Sequence, residues 1–230
     1  MLKVKLVLLS TLALLAMGLV TSSYASATTN WVICYKLETN EGTYTNAECT
    51  KAGKGKYLKE ELRENEHVNF EGEGGPSKLE GLFTIECKKD TSGGNLGGGA
   101  SLEGTITFAE CKIPGRSECT VSKDKWEVRG EALFPEETAE FVLKIEPGSE
   151  VMISGTSCPY TGKLKIKGKQ ICSMPNMLKL KRTNEINCKP EGSEIEGKGE
   201  AEGEKGKALT FTDTEKVKLA TGTAGDYWGL

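Results

Sequence analysis

Eight cysteines, Cys34, Cys49, Cys87, Cys111, Cys119, Cys158, Cys172 and Cys188, all lie downstream of what reads as a cleavable export signal, and none lies inside it. Met1–Lys5 forms a short basic start, Leu6–Val20 an apolar stretch, and Ala25-Ser26-Ala27 the small-x-small pattern that a signal peptidase reads. Cleavage after Ala27 predicts a mature chain beginning at Thr28. In an oxidising compartment an even set of cysteines reads as a disulfide framework, so the chain is expected to be secreted and covalently stapled.

Removing the signal leaves 203 of 230 residues, and the loss of its two lysines takes the formal charge from −3 to −5. A mildly acidic chain argues against nucleic acid as a partner, because such binding draws its affinity from neutralised phosphates. Leu6–Val20 is too short to cross a bilayer, so no transmembrane segment is expected in the mature chain. Aspartates number four, Asp90, Asp124, Asp213 and Asp226, too scattered to build a calcium loop, and no metal or other cofactor is expected.

Period-two alternation recurs along the chain and helical periodicity is nearly absent. Strands are expected at Trp31–Lys36, Val68–Phe70, Leu79–Cys87, Leu102–Cys111, Trp126–Phe134, Ala139–Ile145, Val151–Ser154, Lys163–Ile171, Met177–Lys181, Ala208–Thr212 and Lys216–Leu219. One short helix is expected at Tyr57–Asn65. With 28 glycines punctuating the chain, this spacing predicts an all-β fold, an antiparallel β-sandwich with a barrel as the alternative. The predicted division is a signal peptide (1–27), a disulfide-closed N-terminal segment and connector (28–66), and a β-sandwich domain (67–230).

Leu79–Cys87 echoes Leu102–Cys111, and the glycine-rich Thr91–Gly99 between them reads as the connection of two neighbouring antiparallel strands; similar β composition explains the echo equally well. Ser193–Gly203 alternates small residues with charges. It reads either as a strand whose bare face packs against something bulky or as a flexible charged loop.

Candidate chemistry is thin. His67 is the only histidine, and without a partner set it supports neither a zinc site nor a triad. Ser122-Lys123-Asp124-Lys125 matches Ser-x-x-Lys but lacks the companion motifs. Glutamate pairs such as Glu60/Glu61 or Glu136, Glu137 and Glu140 meet the minimum for a glycosidase, yet they sit in charged contexts typical of solvated faces. The balance leans against an enzyme, and no catalytic residue is assigned. The clearest pattern is basic: Lys163, Lys165, Lys167 and Lys169 alternate with Leu164, Ile166 and Gly168, placing four ammonium groups on one strand face. They are candidate contacts for an anionic polymer of the cell envelope. The favoured reading is structural, with cross-strand pairing to the Glu194–Glu202 row or protection of an edge strand.

Short segments close at the least entropic cost. Cys34–Cys49, Cys111–Cys119 and Cys172–Cys188 are therefore expected, with Cys87–Cys158 by elimination. The Leu-Glu-Gly echo leaves a second possibility, Cys87–Cys111 with Cys119–Cys158.

Trp31-x-x-Cys34 with Gly42-x-Tyr44 and Cys49, Gly168-Lys169-Gln170-x-Cys172-x-x-Pro175, Cys188 with Gly192-Ser193, and Glu215–Leu219 with Trp228 complete the pattern. Together they resemble an uncharacterised family of exported, disulfide-containing β-rich proteins found in many copies in some soil actinobacteria. The resemblance implies an extracellular β-protein and carries no established activity, substrate or site residue; the insert at 194–206 departs from it. The reading reached is a secreted, non-catalytic binding or envelope-associated structural protein whose partner is an envelope polymer or another secreted protein. The rivals are a secreted carbohydrate-active hydrolase using paired glutamates and an inhibitor- or toxin-like scaffold presenting loops such as Gly93–Gly99.

Overall fold

The computed structural model describes residues 30–122, 125–132, 140–176, 179–191, 193–199, 206–220 and 225–229. The expected signal segment 1–27 lies outside them. Seventeen strands follow one another: β1 (Val32–Lys36), β2 (Gly42–Tyr44), β3 (Ala52–Gly55), β4 (Tyr57–Glu61), β5 (His67–Gly74), β6 (Ser77–Glu80), β7 (Thr84–Gly97), β8 (Ser101–Lys112), β9 (Thr120–Ser122), β10 (Lys125–Ala132), β11 (Glu140–Ile145), β12 (Glu150–Ser154), β13 (Gly162–Ser173), β14 (Thr183–Cys188), β15 (Glu194–Lys198), β16 (Lys207–Leu219) and β17 (Gly225–Gly229). No helix occurs among the described residues, and every strand pairing is antiparallel.

Twelve strands form the larger sheet, in the order β11-β10-β8-β7-β5-β16-β14-β13-β12-β9, with β6 between β7 and β16, β15 between β13 and β16, and β11 also joined to β13. Its long strands change partners along their length. β16 meets β15 and then β6 over 207–212, and β14 and β5 further on. Strands that pass from one layer to the other in this way give a sandwich-like all-β fold.

The passage is visible on β7 and β8. Ile85 and Cys87 point inward, Lys88 and Lys89 are both exposed, and Asp90 is buried again, so the inward parity switches at the two lysines. On β8 it switches at Ala109 and Glu110, where Glu110 adopts φ +55°. Glu110 clamps this corner, its carboxylate 2.8 Å from Lys88 Nζ and 3.3 Å from Lys89 Nζ. Beneath it, Trp126 lies between Phe108 and Phe211, at ring-centre distances of 4.6 and 5.3 Å, as the aromatic centre of the core.

The second sheet has five strands in the order β17-β1-β4-β2-β3. It docks on the larger one through Trp31, whose Nε1 donates to Ser101 O at 2.7 Å and whose ring meets Trp228 edge-on at 5.5 Å. Placing the predicted boundary at 66/67 misses this: β17, from the far end of the chain, is the outer partner of β1.

Four expectations are corrected. Tyr57–Asn65 is not helical, because β1 offers an open edge and Tyr57–Glu61 fills it as β4, opposite Val32–Lys36. Thr91–Gly97 is not a connecting loop but the end of β7; the connection to β8 is the short turn over Gly98–Ala100. Glycine is required inside that strand at Gly94, where a Cβ would strike the backbone of Glu103 and Gly104. Within the expected strand at Met177–Lys181, residues 177–178 lie outside the described set, and Lys181 makes only an isolated bridge to Trp228. Two disulfides differ as well. Cys34–Cys49 and Cys172–Cys188 form as expected, but Cys111–Cys119 and Cys87–Cys158 do not. Cys87 faces Cys111 directly across the β7–β8 ladder and pairs with it, leaving Cys119 for Cys158. Register, not loop length, decides the pairing, and the result is the second possibility that the Leu-Glu-Gly echo left open. No cysteine is free.

Candidate functional site

β16 sends Leu209, Phe211, Asp213, Glu215, Val217 and Leu219 inward, each buried. Two carboxyl groups therefore occupy places in an otherwise apolar row. A third comes from Asp90 of β7. Between these strands runs β5, with Gly74 opposite both Asp90 and Glu215, and Gly72 opposite Ser92 and Val217. The glycines leave bare backbone over which the side chains converge. A Cβ at Gly72 would meet Ser92 Oγ and come to 2.6 Å from Glu215 Oε1; one at Gly74 would lie 2.5 Å from Asp90 Oδ1.

Asp90, Asp213 and Glu215 are only 2, 4 and 5 % exposed, and each offers an oxygen within 4.8 Å of the others. Among the described residues none of them forms an ion pair. Burial without a countercharge disfavours ionisation. Glu215 is pushed up to about 7, mainly by burial, with the Ser92 hydroxyl opposing the shift and the Asp90 charge adding to it. Asp90 and Asp213 are both raised, again by burial first, and Asp213 the more strongly because the charges of Asp90 and Glu215 face it. Carboxyl groups gathered this closely without a countercharge cannot all ionise, and Asp213, the most strongly raised, is the one that keeps its proton. A small cavity of about 20 Å³ adjoins the cluster, walled by Phe70, Thr105, Ile106 and Leu143 beside Asp213 and Glu215. That is room for about one water. Three carboxylate oxygens at this spacing could also ligate one hard cation, although calcium ordinarily takes about six to eight oxygens.

The residues singled out by sequence lie elsewhere. Lys163, Lys165, Lys167 and Lys169 do share the solvent side of β13, with Leu164 and Ile166 buried between them. Three of them face carboxylates: Lys163 with Glu150 at 3.8 Å, Lys167 with Glu196 at 3.7 Å and Lys169 with Glu194 at 3.4 Å. Glu194 and Glu196 belong to β15, so the part of 193–203 covering Glu194–Lys198 is a strand. Its bare face does meet bulky neighbours, since a Cβ at Gly197 would lie 2.6 Å from Leu209 Cδ1 and 3.2 Å from Leu164 Cδ1. Residues 200–205 lie outside the described set.

His67 is exposed at the start of β5. Ser122 ends β9, while Lys123, Asp124, Glu136 and Glu137 lie outside the described residues. Glu60 and Glu61 are successive on β4 and so face opposite sides of the sheet. Glu60 sits beside Tyr35, whose hydroxyl is raised to about 12 by burial and by that carboxylate.

The aspartates build no calcium loop among the described residues, but Asp90 and Asp213, 123 residues apart in sequence, meet in the core with Glu215. A signal for them exists: carboxylates at i and i+2 within an alternating apolar run, Leu209-x-Phe211-x-Asp213-x-Glu215-x-Val217-x-Leu219. No helix among the described residues is long and apolar enough to cross a membrane. No protein-family model, curated protein or solved structure matches the chain.

Proposed function

We propose that the protein is a secreted, non-catalytic binding or envelope-associated structural protein, in keeping with its resemblance to the exported actinobacterial family. The observation that carries this reading is where its carboxyl groups converge. Asp90, Asp213 and Glu215 are sealed in the core beside a space for one water. A glycosidase needs its two carboxyls on either side of a bound sugar, and these can reach no polymer. Four disulfides, closing segments of 15, 24, 39 and 16 residues, suit a rigid scaffold in an oxidising compartment.

The test is co-sedimentation of the oxidised mature protein with purified, insoluble envelope polysaccharide, followed by an assay for newly formed reducing ends. Retention on the polymer without new reducing ends is the expected result. Release of soluble sugars, persisting after gel filtration of the protein, would replace this reading with the hydrolase.

A further inference from the structure

One face of the five-stranded sheet packs on the core; the other is covered over β1 at Val32 and Cys34, both buried, and is exposed toward Lys36 and Lys59. Ile33, Trp228 and Leu58 belong to the inner face, since Ile33 pairs with Trp228 and both are buried. By strand alternation Lys36, Tyr57 and Tyr44 lie on the outer face, in one row across β1, β4 and β2. Lys59 and Tyr227 share that face, each opposite Cys34. The three tyrosines are half-buried, while Lys36 and Lys59 are exposed. The Arg182 guanidinium lies 5.9 Å from the centre of the Tyr227 ring.

The lysines of this sheet are unpaired as a group, as Lys165 and Lys216 of the larger sheet also are among the described residues. On the larger sheet Lys78, Lys88, Lys112, Lys144, Lys169 and Lys218, among others, each have a carboxylate within 4.0 Å. None of Lys36, Lys51, Lys54, Lys56 and Lys59 has one among the described residues; Glu61, the carboxylate on the same face, lies against Asn30. The turn beside the tyrosines is held rigid. Cys49 is bonded to Cys34, and Asn46 Oδ1 accepts from the amides of Thr50 and Lys51 at 3.2 and 2.8 Å.

We infer that this outer face binds an acidic polysaccharide, the Tyr44–Tyr57 pair stacking on a sugar ring while Lys36 and Lys59 take the carboxylates of the chain. Tyrosines on adjacent strands stand about 4.8 Å apart, too close for both rings to lie flat, so the pair forms one aromatic platform for a sugar ring from which the glycan runs on toward the lysines. Amines without local partners lose no ion pair when the polymer arrives, which favours this face over the paired lysines of β13. A face fixed by a disulfide and a capped turn loses little freedom on binding. Rows of aromatic and basic side chains also suit single-stranded nucleic acid, so that probe belongs in the test.

The inference rests on the reading of the protein as a non-catalytic binder and names its ligand class and face. Fluorescence or calorimetric titration of the oxidised mature protein would use polygalacturonate oligomers, neutral cello-oligosaccharides and a single-stranded oligodeoxynucleotide. Polygalacturonate should bind, more weakly as salt rises from about 50 to about 500 mM, and the neutral sugar should bind far less. Tyr44→Ala/Tyr57→Ala and Lys36→Gln/Lys59→Gln should each lose about tenfold or more in affinity while circular dichroism shows the β fold retained at the assay temperature, and Lys167→Gln/Lys169→Gln should lose none. No binding of polygalacturonate, equal loss in the β13 control, or tighter binding of the oligodeoxynucleotide would overturn the inference. Retention on envelope polysaccharide that survives both outer-face variants would overturn it while leaving the proposed function standing.

Discussion

Replacing Glu215 with glutamine keeps the shape of the side chain and removes its ability to ionise. In the folded protein this carboxyl stays protonated up to about 7, whereas in the unfolded chain it titrates near 4.5, the ordinary value of a glutamate. The native state therefore holds more protons than the unfolded state between those values, and stability falls as pH rises through them. A shift of that size corresponds to a cost on the order of 3 kcal/mol at pH 8 relative to pH 4. Asp90 and Asp213, raised for the same reason, push in the same direction. Glu110 pushes the other way: Lys88 and Lys89 hold it below the usual carboxylate range, so its contribution is present above that range and is lost on acidification. The expected profile has its maximum near pH 5, by this balance of titrations, and a decline toward pH 8.

Urea unfolding of the oxidised protein with a chelator present, followed by the fluorescence of the buried Trp31, Trp126 and Trp228, measures the profile. Glu215→Gln should match the parent within about 1 kcal/mol at pH 5 and exceed it by about 2–3 kcal/mol at pH 8, because the amide carries no charge to bury. Parent stability that is flat or rising from pH 5 to 8 would refute the reasoning. So would a variant destabilised equally at both pH values, since the ionised carboxylate would then have a compensating partner in the fold.

Gly74→Ala would push a methyl group to 2.5 Å from Asp90 Oδ1 and 2.7 Å from Thr214 O, and thermal melting should show a loss of about 1–3 kcal/mol. Replacing Cys119 and Cys158 together by serine opens a 39-residue loop and should cost about 4 kcal/mol, against about 3 for the 15-residue Cys34–Cys49 loop, in denaturant titrations of the two variants. Lys167→Gln with Lys169→Gln removes two exposed pairs and should change stability by no more than about 1 kcal/mol per pair, as checked by the same titration.

The all-β architecture was legible because alternation is a local property, and β13 and β16 carry it over a dozen residues or more. What sequence could not supply was the choice of neighbours. Tyr57–Glu61 has the charged composition of a solvated helix and becomes a strand only because β1 lies alongside. Cys87 pairs with Cys111 because β7 and β8 run in a register that sets them opposite each other, a fact absent from the spacing of the cysteines. The carboxyl cluster was half legible. Asp213 and Glu215 interrupt an apolar row in plain view, but Asp90 joins them across the breadth of β5, and Gly72 and Gly74 matter only once that strand is known to lie between. The lysines of β13 were conspicuous in sequence for the same reason that they are quiet in the structure: a regular row of cations is easily matched by a regular row of glutamates on β15.

β1 has β4 on one side and β17 on the other, and β17 follows every other described strand in sequence. Until it arrives, β1 presents an open edge although its other neighbours and the Cys34–Cys49 bridge can form locally. An open edge accepts any strand of matching register, and Tyr227-Trp228 from a second copy matches as well as the chain's own. At high concentration the same pairing would then form between molecules, giving an exchanged dimer in which each chain lends β17 to the other. Because Trp228 is fully buried against Trp31, such a dimer would keep the same core contacts as the monomer and differ from it only in which chain supplies them.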